Sequence, residues 1–355
     1  MYVRLVIIGV FILLSIRAEN KTLVNTNNCE SYIAFDTLGL VNSQKAEINT
    51  STNVYLADIK NSANINQISA FEEDTFIDWS PDGYQFAYSS IGQDDNIFIY
   101  NIILKTTTPF IPIGGNFVFD FSWSPNGTKI AYITSNSESD NTDHLYLLDV
   151  DGGTRRNLTP MLNIDARFID WSPDSQLIAL RVGIPISATL IIDVENQHIP
   201  PIILEDGIGF DWLGDMLVFS RIQGEDYSYY TYNINNGEVI ELSENMGGVW
   251  SFDGKYMAYY ENDEIYIRNS DTDEIETLRS NIGNGYISNI VWSPYSLEIV
   301  FFEPEVDEIE TRDGGYIYIK NLETGEVRNA LGDYALYTAP LGSLGWSPCI
   351  EEPES

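Results

Sequence analysis

The sequence is poor in the residues that most often carry chemistry. It has 2 histidines and 2 cysteines among 355 residues. A histidine-rich metal centre needs more imidazoles than that. A Ser–His–acid triad would have to use His144 or His198, and neither sits near a recognisable nucleophile. His144 opens the strand-like D-H-L-Y-L, and His198 lies in the turn-like N-Q-H-I-P-P. Basic residues are also scarce: 18 Lys and Arg face 53 Asp and Glu, for a formal net charge of -35. Such a surface repels phosphate backbones, so no nucleic acid is expected as a partner. It suits a soluble chain that attracts basic partners or cations.

Long apolar runs are missing too. The one candidate, Leu5 to Ile16 after Arg4, has 12 residues. A membrane-spanning helix needs about 20. The run fits the apolar region of a secretory signal, with Ala18 before the cleavage point. Residues 1–18 therefore read as a signal peptide, and 19–28 as a short linker. The expected location is secreted or periplasmic, with no membrane span after cleavage. An uncleaved signal would leave the chain anchored.

What the sequence has in abundance is aromatic residues, 13% of the chain, with frequent β-branched residues and no long amphipathic helical period. That composition favours strands. All seven tryptophans recur in one phrase. Trp79 opens W-S-P-D-G, Trp123 W-S-P-N-G, Trp171 W-S-P-D-S, Trp212 W-L-G-D, Trp250 W-S-F-D-G, Trp292 W-S-P-Y-S and Trp346 W-S-P-C. Their intervals are 44, 48, 41, 38, 42 and 54 residues. That period is the length of one four-stranded propeller blade.

Each repeat reads as a strand ending at Trp, a tight turn, a second strand such as Phe86-Ala87-Tyr88, a third strand, a polar turn and a polar fourth strand. Before Trp79 lie three strand-like pieces without a Trp: Tyr32 to Phe35, Val54 to Ala57 and Ile65 to Ser69. After Trp346 no further strands follow. The two fragments complete one blade. The expected fold is an all-β, seven-bladed propeller over residues 29–350, its ring closed by a C-terminal inner strand, with an acidic tail at 351–355. Cys29 and Cys349 occupy the same motif position on the two halves of the split blade, so a Cys29–Cys349 disulfide is expected in an oxidising compartment.

The W-S-P-D-G phrase followed by an apolar-Ala-aromatic strand resembles the TolB-type propeller repeat family, best at Trp79, Trp123 and Trp171. The stretch Asp149 to Thr159, D-V-D-G-G-T-R-R-N-L-T, resembles that family's turn between third and fourth strands. The resemblance implies the fold and says little of function, because function resides in sites grafted onto folds. Related propellers precede hydrolase domains, but no G-x-S-x-G nucleophile elbow occurs in this sequence.

Candidate sites follow from position. Asp78, Asp170 and Asp211 each precede a motif Trp and form a candidate channel cluster able to hold a cation such as Ca²⁺. The competing reading is that each bonds nearby backbone, as Asp commonly does in turns. The backbone-bonding reading is favoured, so no cofactor is expected, with a divalent cation such as Ca²⁺ left as the alternative. The paired aspartates Asp149/Asp151 and Asp271/Asp273 lack the remaining ligands of a calcium loop and read as hairpin turns. Two long connections, Asp36 to Asn53 and Phe302 to Gly315, are expected to carry recognition. The second supplies a candidate binding loop with Glu305, Asp307, Glu308, Glu310 and Asp313. The expected function is a monomeric, non-catalytic module binding a protein or cell-surface ligand, with the charge favouring a basic one. The alternative is an extracellular carbohydrate-active enzyme using a carboxylate pair in a central pocket.

Overall fold

The computed structural model describes residues 29–41, 46–60, 64–69, 74–90, 96–111, 118–137, 140–151, 153–160, 162, 164–183, 187–196, 198–223, 226–242, 248–251, 253–261, 264–279, 290–304, 315–336 and 344–351. The expected signal, linker and most of the acidic tail lie outside them, as do the loop residues Glu305, Asp307, Glu308, Glu310 and Asp313. Every regular element among the described residues is a β-strand. None of them belongs to a helix long and apolar enough to cross a membrane.

The strands follow the tryptophan repeat. At the head are β1 (Cys29–Glu30), β2 (Tyr32–Val41), β3 (Ala46–Asp58) and β4 (Ile65–Gln67). The Trp79 repeat forms β5 (Asp74–Trp79), β6 (Gln85–Ser90), β7 (Asn96–Asn101) and β8 (Thr106–Ile111). The Trp123 repeat forms β9 (Val118–Trp123), β10 (Lys129–Ser137), β11 (Asp140–Asp149) and β12 (Arg155–Asn157). The Trp171 repeat forms β13 (Ala166–Trp171), β14 (Leu177–Val182), β15 (Ala188–Asp193) and β16 (Ile202–Glu205). The Trp212 repeat forms β17 (Gly207–Leu213), β18 (Met216–Gln223), β19 (Asp226–Asn233) and β20 (Val239–Glu241). The Trp250 repeat forms β21 (Val249–Trp250), β22 (Tyr256–Glu261), β23 (Glu264–Asn269) and β24 (Ile275–Arg279). The Trp292 repeat forms β25 (Ile290–Trp292), β26 (Glu298–Pro304), β27 (Gly315–Asn321) and β28 (Val327–Asn329). The tail adds β29 (Ala335–Leu336), β30 (Gly345–Trp346) and β31 (Ile350–Glu351).

Two compact units are distinguished. One holds residues 113–247, and the other the segments before and after them. In the first, three antiparallel four-stranded sheets follow one another: β9 to β12, β13 to β16 and β17 to β20. In the second, β5 to β8 and β21 to β24 are four-stranded sheets of the same kind.

The expected closed seven-bladed ring is corrected here. Five repeats form four-stranded sheets, while the Trp292 repeat and the split repeat share one nine-stranded sheet. The cause is β29. It pairs with β2 through Leu40↔Leu336 and Val41↔Ala335, and with β27 through Gly315↔Leu336. The segment read as the long connection Asp36 to Asn53 is mostly strand: β2 has 10 residues and β3 has 13, against 6 in β5, β6 and β7. The overlong hairpin offers an unpaired edge, and β29 satisfies it.

The sharing of one repeat between head and tail does hold. β30 pairs with β2 through Ile33↔Trp346, the register that Trp79↔Phe86 and Trp123↔Ile130 keep within intact repeats. The motif turn explains why. In the Trp79 repeat the Ser80 hydroxyl donates to Asp82 at 2.6 Å and accepts from the Gln85 N–H at 3.0 Å. The same ring forms at Ser124, Ser172 and Ser251. At the split, the Ser347 hydroxyl accepts from the Tyr32 N–H at 2.9 Å, and the Ser347 N–H donates to the Tyr32 carbonyl. Two bonds of one tight turn are thus made between chain ends. Gly83 and Gly127 complete their turns with φ of 75° and 72°, which only glycine adopts freely. Ser175 holds that place in the Trp171 repeat at φ 63°, and its hydroxyl accepts the Asn126 N–H at 3.1 Å.

Packing follows register. A stacked aromatic pair joins second and third strands at one position in six repeats: Phe35–Tyr55, Tyr88–Phe98, Tyr132–Tyr146, Phe219–Tyr230, Tyr259–Tyr266 and Phe301–Tyr318. The Trp171 repeat places Leu180 against Leu190 there. All the motif tryptophans except Trp250 are buried. Each buried indole contributes about 4–6 kcal/mol by area, an upper estimate.

Candidate functional site

The tryptophans link neighbouring sheets through backbone. The indole N–H of Trp171 donates to the Ser122 carbonyl at 3.2 Å, that of Trp212 to Asp170 at 3.2 Å, and that of Trp292 to Val249 at 2.8 Å. Each acceptor is the residue just before the previous repeat's Trp. At the split repeat, Trp346 donates instead to the Ser31 hydroxyl at 2.8 Å and the Tyr295 hydroxyl at 3.2 Å.

In the Trp123, Trp171 and Trp250 repeats the residue before the Trp is therefore used first for its carbonyl. The Asp78 carboxylate accepts the Trp79 N–H at 2.8 Å, a local bond of the kind aspartate makes in turns. Asp170 is partly buried on β13 and Asp211 is exposed on β17. Among the described residues no group of three or more His, Cys, Asp or Glu side chains could hold a metal ion. A cation at Asp78, Asp170 and Asp211, the alternative to backbone bonding, thus finds no ligand cluster among the described residues.

A different polar centre lies in the first unit, at the strand ends where β10 passes into β11 and where β13 begins. Asp143 opens the buried part of β11. Its Oδ2 accepts the Ala166 N–H at 3.1 Å and the Arg167 Nη1 at 3.0 Å. Arg167 also pairs with Asp165 through Nη2 at 2.6 Å. One guanidinium is thus held by two carboxylates, while its side chain stays 47% exposed. Burial pushes the Asp143 carboxyl up, and the Ala166 N–H and Arg167 oppose that shift.

Three residues along β13, the Ile169 N–H donates to Asp120 Oδ2 at 2.6 Å, and the Asp120 Oδ1 accepts the Phe121 N–H at 2.9 Å. β13 is the edge strand of its sheet, so half of its N–H groups face away from β14 and need other acceptors. Asp120 and Asp143, both from the preceding repeat, supply them. Burial raises the Asp120 pKa to about 6, the two N–H bonds acting against it. Beside this centre, Phe168 is exposed with the Arg181 guanidinium 5.5 Å from its ring centroid.

His144 is buried next to Asp143. Its Nδ1 lies 2.9 Å from the Thr159 carbonyl, which assigns the proton to Nδ1. It is a satisfied strand residue, in line with the sequence reading. The paired aspartates also behave as turns. Asn101, Asp193, Asn233, Asn269 and Asn321 each end a third strand and accept two backbone N–H groups of the following turn. Asp273 pairs with Arg268 at 2.6 Å. Tyr230 of the tyrosine-rich β19 is buried against Phe219, under Arg221.

Sequence reasoning looked one residue before each Trp and so missed Asp120, which lies three before Trp123. It also missed Asp143 and Arg167. A usable signal existed: Asp120 is the one carboxylate at the third residue before a motif Trp, where other repeats carry Phe76, Phe168 or Gly209.

Cys349 is disulfide-bonded, and the strands beside the two cysteine positions pair, with Cys29↔Glu351 and Glu30↔Ile350 in register.

No family model matches the chain. It is similar to the dipeptidyl-peptidase 5 of Porphyromonas gingivalis, 29% identical over 111 residues, 28% of this chain and 16% of that protein. It is also similar to the uncharacterized peptidase YuxL of Bacillus subtilis, 27% identical over 209 residues, 55% of this chain and 30% of that protein. The chain thus spans less than a third of either relative. Among solved structures it resembles an oligogalacturonate lyase in complex with manganese, at TM-score 0.59 and 13% identity, covering 81% of this chain and 83% of that one. It resembles the β-propeller domain of the Trilobed protease from Pyrococcus furiosus at TM-score 0.52 and 17% identity, covering 72% and 84%. The TolB of Acinetobacter baumannii matches at TM-score 0.49 and 17% identity over 90% of this chain and 67% of that one. At these identities the likeness is one of fold, and on fold the chain is an all-β protein of propeller type.

Proposed function

We propose that the chain is a non-catalytic binding or scaffolding module, secreted or periplasmic, that holds a protein or cell-surface ligand of basic character. The observation that supports this reading is the way the inner carboxylates are committed. Asp120 grips two backbone N–H groups, Asp143 grips one N–H and Arg167, and Asp78 grips the Trp79 N–H. A carboxylate used in this way fixes one strand against the next. Glycoside cleavage asks for two carboxyl groups facing a common space. Here Asp120 and Asp143 take up N–H groups three residues apart on the same strand.

The charge of -35 supports a basic partner, because complementary charge speeds encounter and selects against acidic competitors. In this reading the strand end bearing Asp143, Asp165 and Arg167 is one contact surface, and the acidic segment Glu305, Asp307, Glu308, Glu310 and Asp313 is a separate one. A second reading, an extracellular carbohydrate-active enzyme, is favoured by one feature: the buried Asp120 carboxyl raised to about 6, within the range of a general acid.

Affinity capture from extracellular and cell-surface protein separates the two. Wild type is expected to retain basic partners that are lost on deleting Asp307 to Asp313 or on Asp165→Asn. Identical partner profiles for all three proteins overturn the binding face. New reducing ends or unsaturated products from polygalacturonate, abolished by Asp120→Asn, replace the module with the enzyme.

A further inference from the structure

We propose that β16 is a docking strand: its outer edge accepts an extended, basic segment of another protein by strand addition. This inference concerns the outer edge of the Trp171 repeat and does not depend on the strand-end surface proposed above.

The fourth strand of every sheet is an edge, and most are guarded. β12 reads R-R-N, β20 V-I-E, β28 V-R-N and β4 I-N-Q. Each carries at least one charge or amide within three residues, the usual way to keep an edge from recruiting another chain. β16 reads I-I-L-E. Leu204 is buried, but Ile203 is 56% exposed and Ile202 36%, and Ile199 just before the strand is 57% exposed. Ile202 and Ile203 stand open together on this edge with Ile199 just before it, whereas β20, β24 and β28 each expose one such residue, Val239, Ile275 and Val327.

The backbone of β16 is available in a defined register. β16 pairs with β15 through Ile191↔Ile202, Leu190↔Ile203, Thr189↔Leu204 and Ala188↔Glu205. The Asp206 N–H donates to the Ser187 carbonyl at 2.8 Å, which marks that pair as hydrogen-bonded. Alternation along an antiparallel ladder then turns Leu204 and Ile202 inwards and Ile203 and Glu205 outwards. The Glu205 carbonyl accepts the Arg221 Nε at 3.1 Å. The N–H and carbonyl of Ile203 and the N–H of Glu205 therefore face away from β15. Pro200 and Pro201 precede the strand, so an added strand begins no earlier than Ile202.

Charge decides the occupant. Glu205 and Asp206 are exposed at one end of the edge, and Glu195 is exposed on the turn that leads into the segment before β16. A second copy of this chain would bring another -35 charges to the same edge. Like charges placed together disfavour that pairing, whereas a segment alternating Lys or Arg with β-branched residues meets both the isoleucines and the carboxylates.

The test uses the full chain and a capped peptide of four Lys-Val repeats, followed by fluorescence anisotropy and by amide shifts in NMR. A second peptide of the same sequence carries N-methyl groups on alternate residues, which keep its charge and remove its strand-pairing N–H groups. Shifts centred on Ile202, Ile203 and Glu205 are expected, with binding at least tenfold weaker for the N-methyl peptide and for the Ile203→Lys protein. Ile203→Pro, which removes only an outward N–H, is expected to weaken binding to the same extent with an unchanged melting temperature. Equal affinity for the two peptides, or amide shifts away from β16, overturns the proposal. So does concentration-dependent dimerisation that Ile203→Lys abolishes, because the occupant is then a second copy.

Discussion

Asp120 shows how one residue can hold two repeats together at a cost set by pH. Its carboxylate accepts the Ile169 N–H across the boundary between β9 and β13, yet burial raises its pKa to about 6. Between the ordinary aspartate value of about 4 and 6, the folded chain binds more protons at this site than the unfolded chain. Stability from this group is therefore greatest below that window and falls as pH rises through it. The difference is at most about 3 kcal/mol, and less because the side chain is not fully enclosed. Asp120→Asn keeps an acceptor oxygen and removes the titration. Urea unfolding between pH 4 and 7 is expected to lose much of its slope in that variant. An unchanged slope would assign the pH dependence to other carboxylates.

At three sheet boundaries, those of Trp171, Trp212 and Trp292, the tryptophan indole does two jobs, filling the space between sheets and donating to a strand carbonyl of the previous repeat. Trp212→Phe keeps most of the burial and removes the bond to Asp170, 3.2 Å long in the folded chain. It also leaves that carbonyl without its indole donor, so a loss of about 1–3 kcal/mol is expected in chemical denaturation. A loss below about 0.5 kcal/mol would mean that water replaces the indole. This layer of the fold was legible in the sequence, because six of the seven tryptophans carry the same Trp-Ser start of a turn and all seven lie at or next to the end of the first strand of their repeat. The Asn or Asp closing each third strand, such as Asn233 and Asn269, was equally visible but carries meaning only once its two N–H partners are seen. What stayed hidden depends on contacts between distant segments. Leu336 meeting Leu40 and Gly315 joins two repeats into one sheet, and no local period announces it. Asp120 could be singled out by its place three residues before Trp123, but its role is defined by an N–H 49 residues away.

For the molecule as a whole, the two chain ends behave as one element. β1 pairs with β31, β2 with β30, and Cys349 is disulfide-bonded. A Cys29–Cys349 bond encloses nearly the whole described chain. On the chain-entropy model a loop of that length stabilises by about 5 kcal/mol, with native strain subtracting from it. Non-reducing peptide mapping is expected to recover the two cysteine peptides as one linked species, and reduction to lower the melting temperature. Recovery of both as free thiols from secreted protein would reject the link.

The Ser347 hydroxyl meets the Tyr32 N–H across 315 residues. Synthesis at about 5–20 residues per second separates the appearance of these partners by roughly 16–60 s. Throughout that interval Ile33, Ala34 and Phe35, buried in the finished protein, lack the strand that completes their sheet. The emerging polypeptide must be shielded by a holding factor or kept from pairing with its neighbours on the same polysome. Its yield in a cell therefore depends on translation speed and chaperone supply as well as on the stability of the folded product.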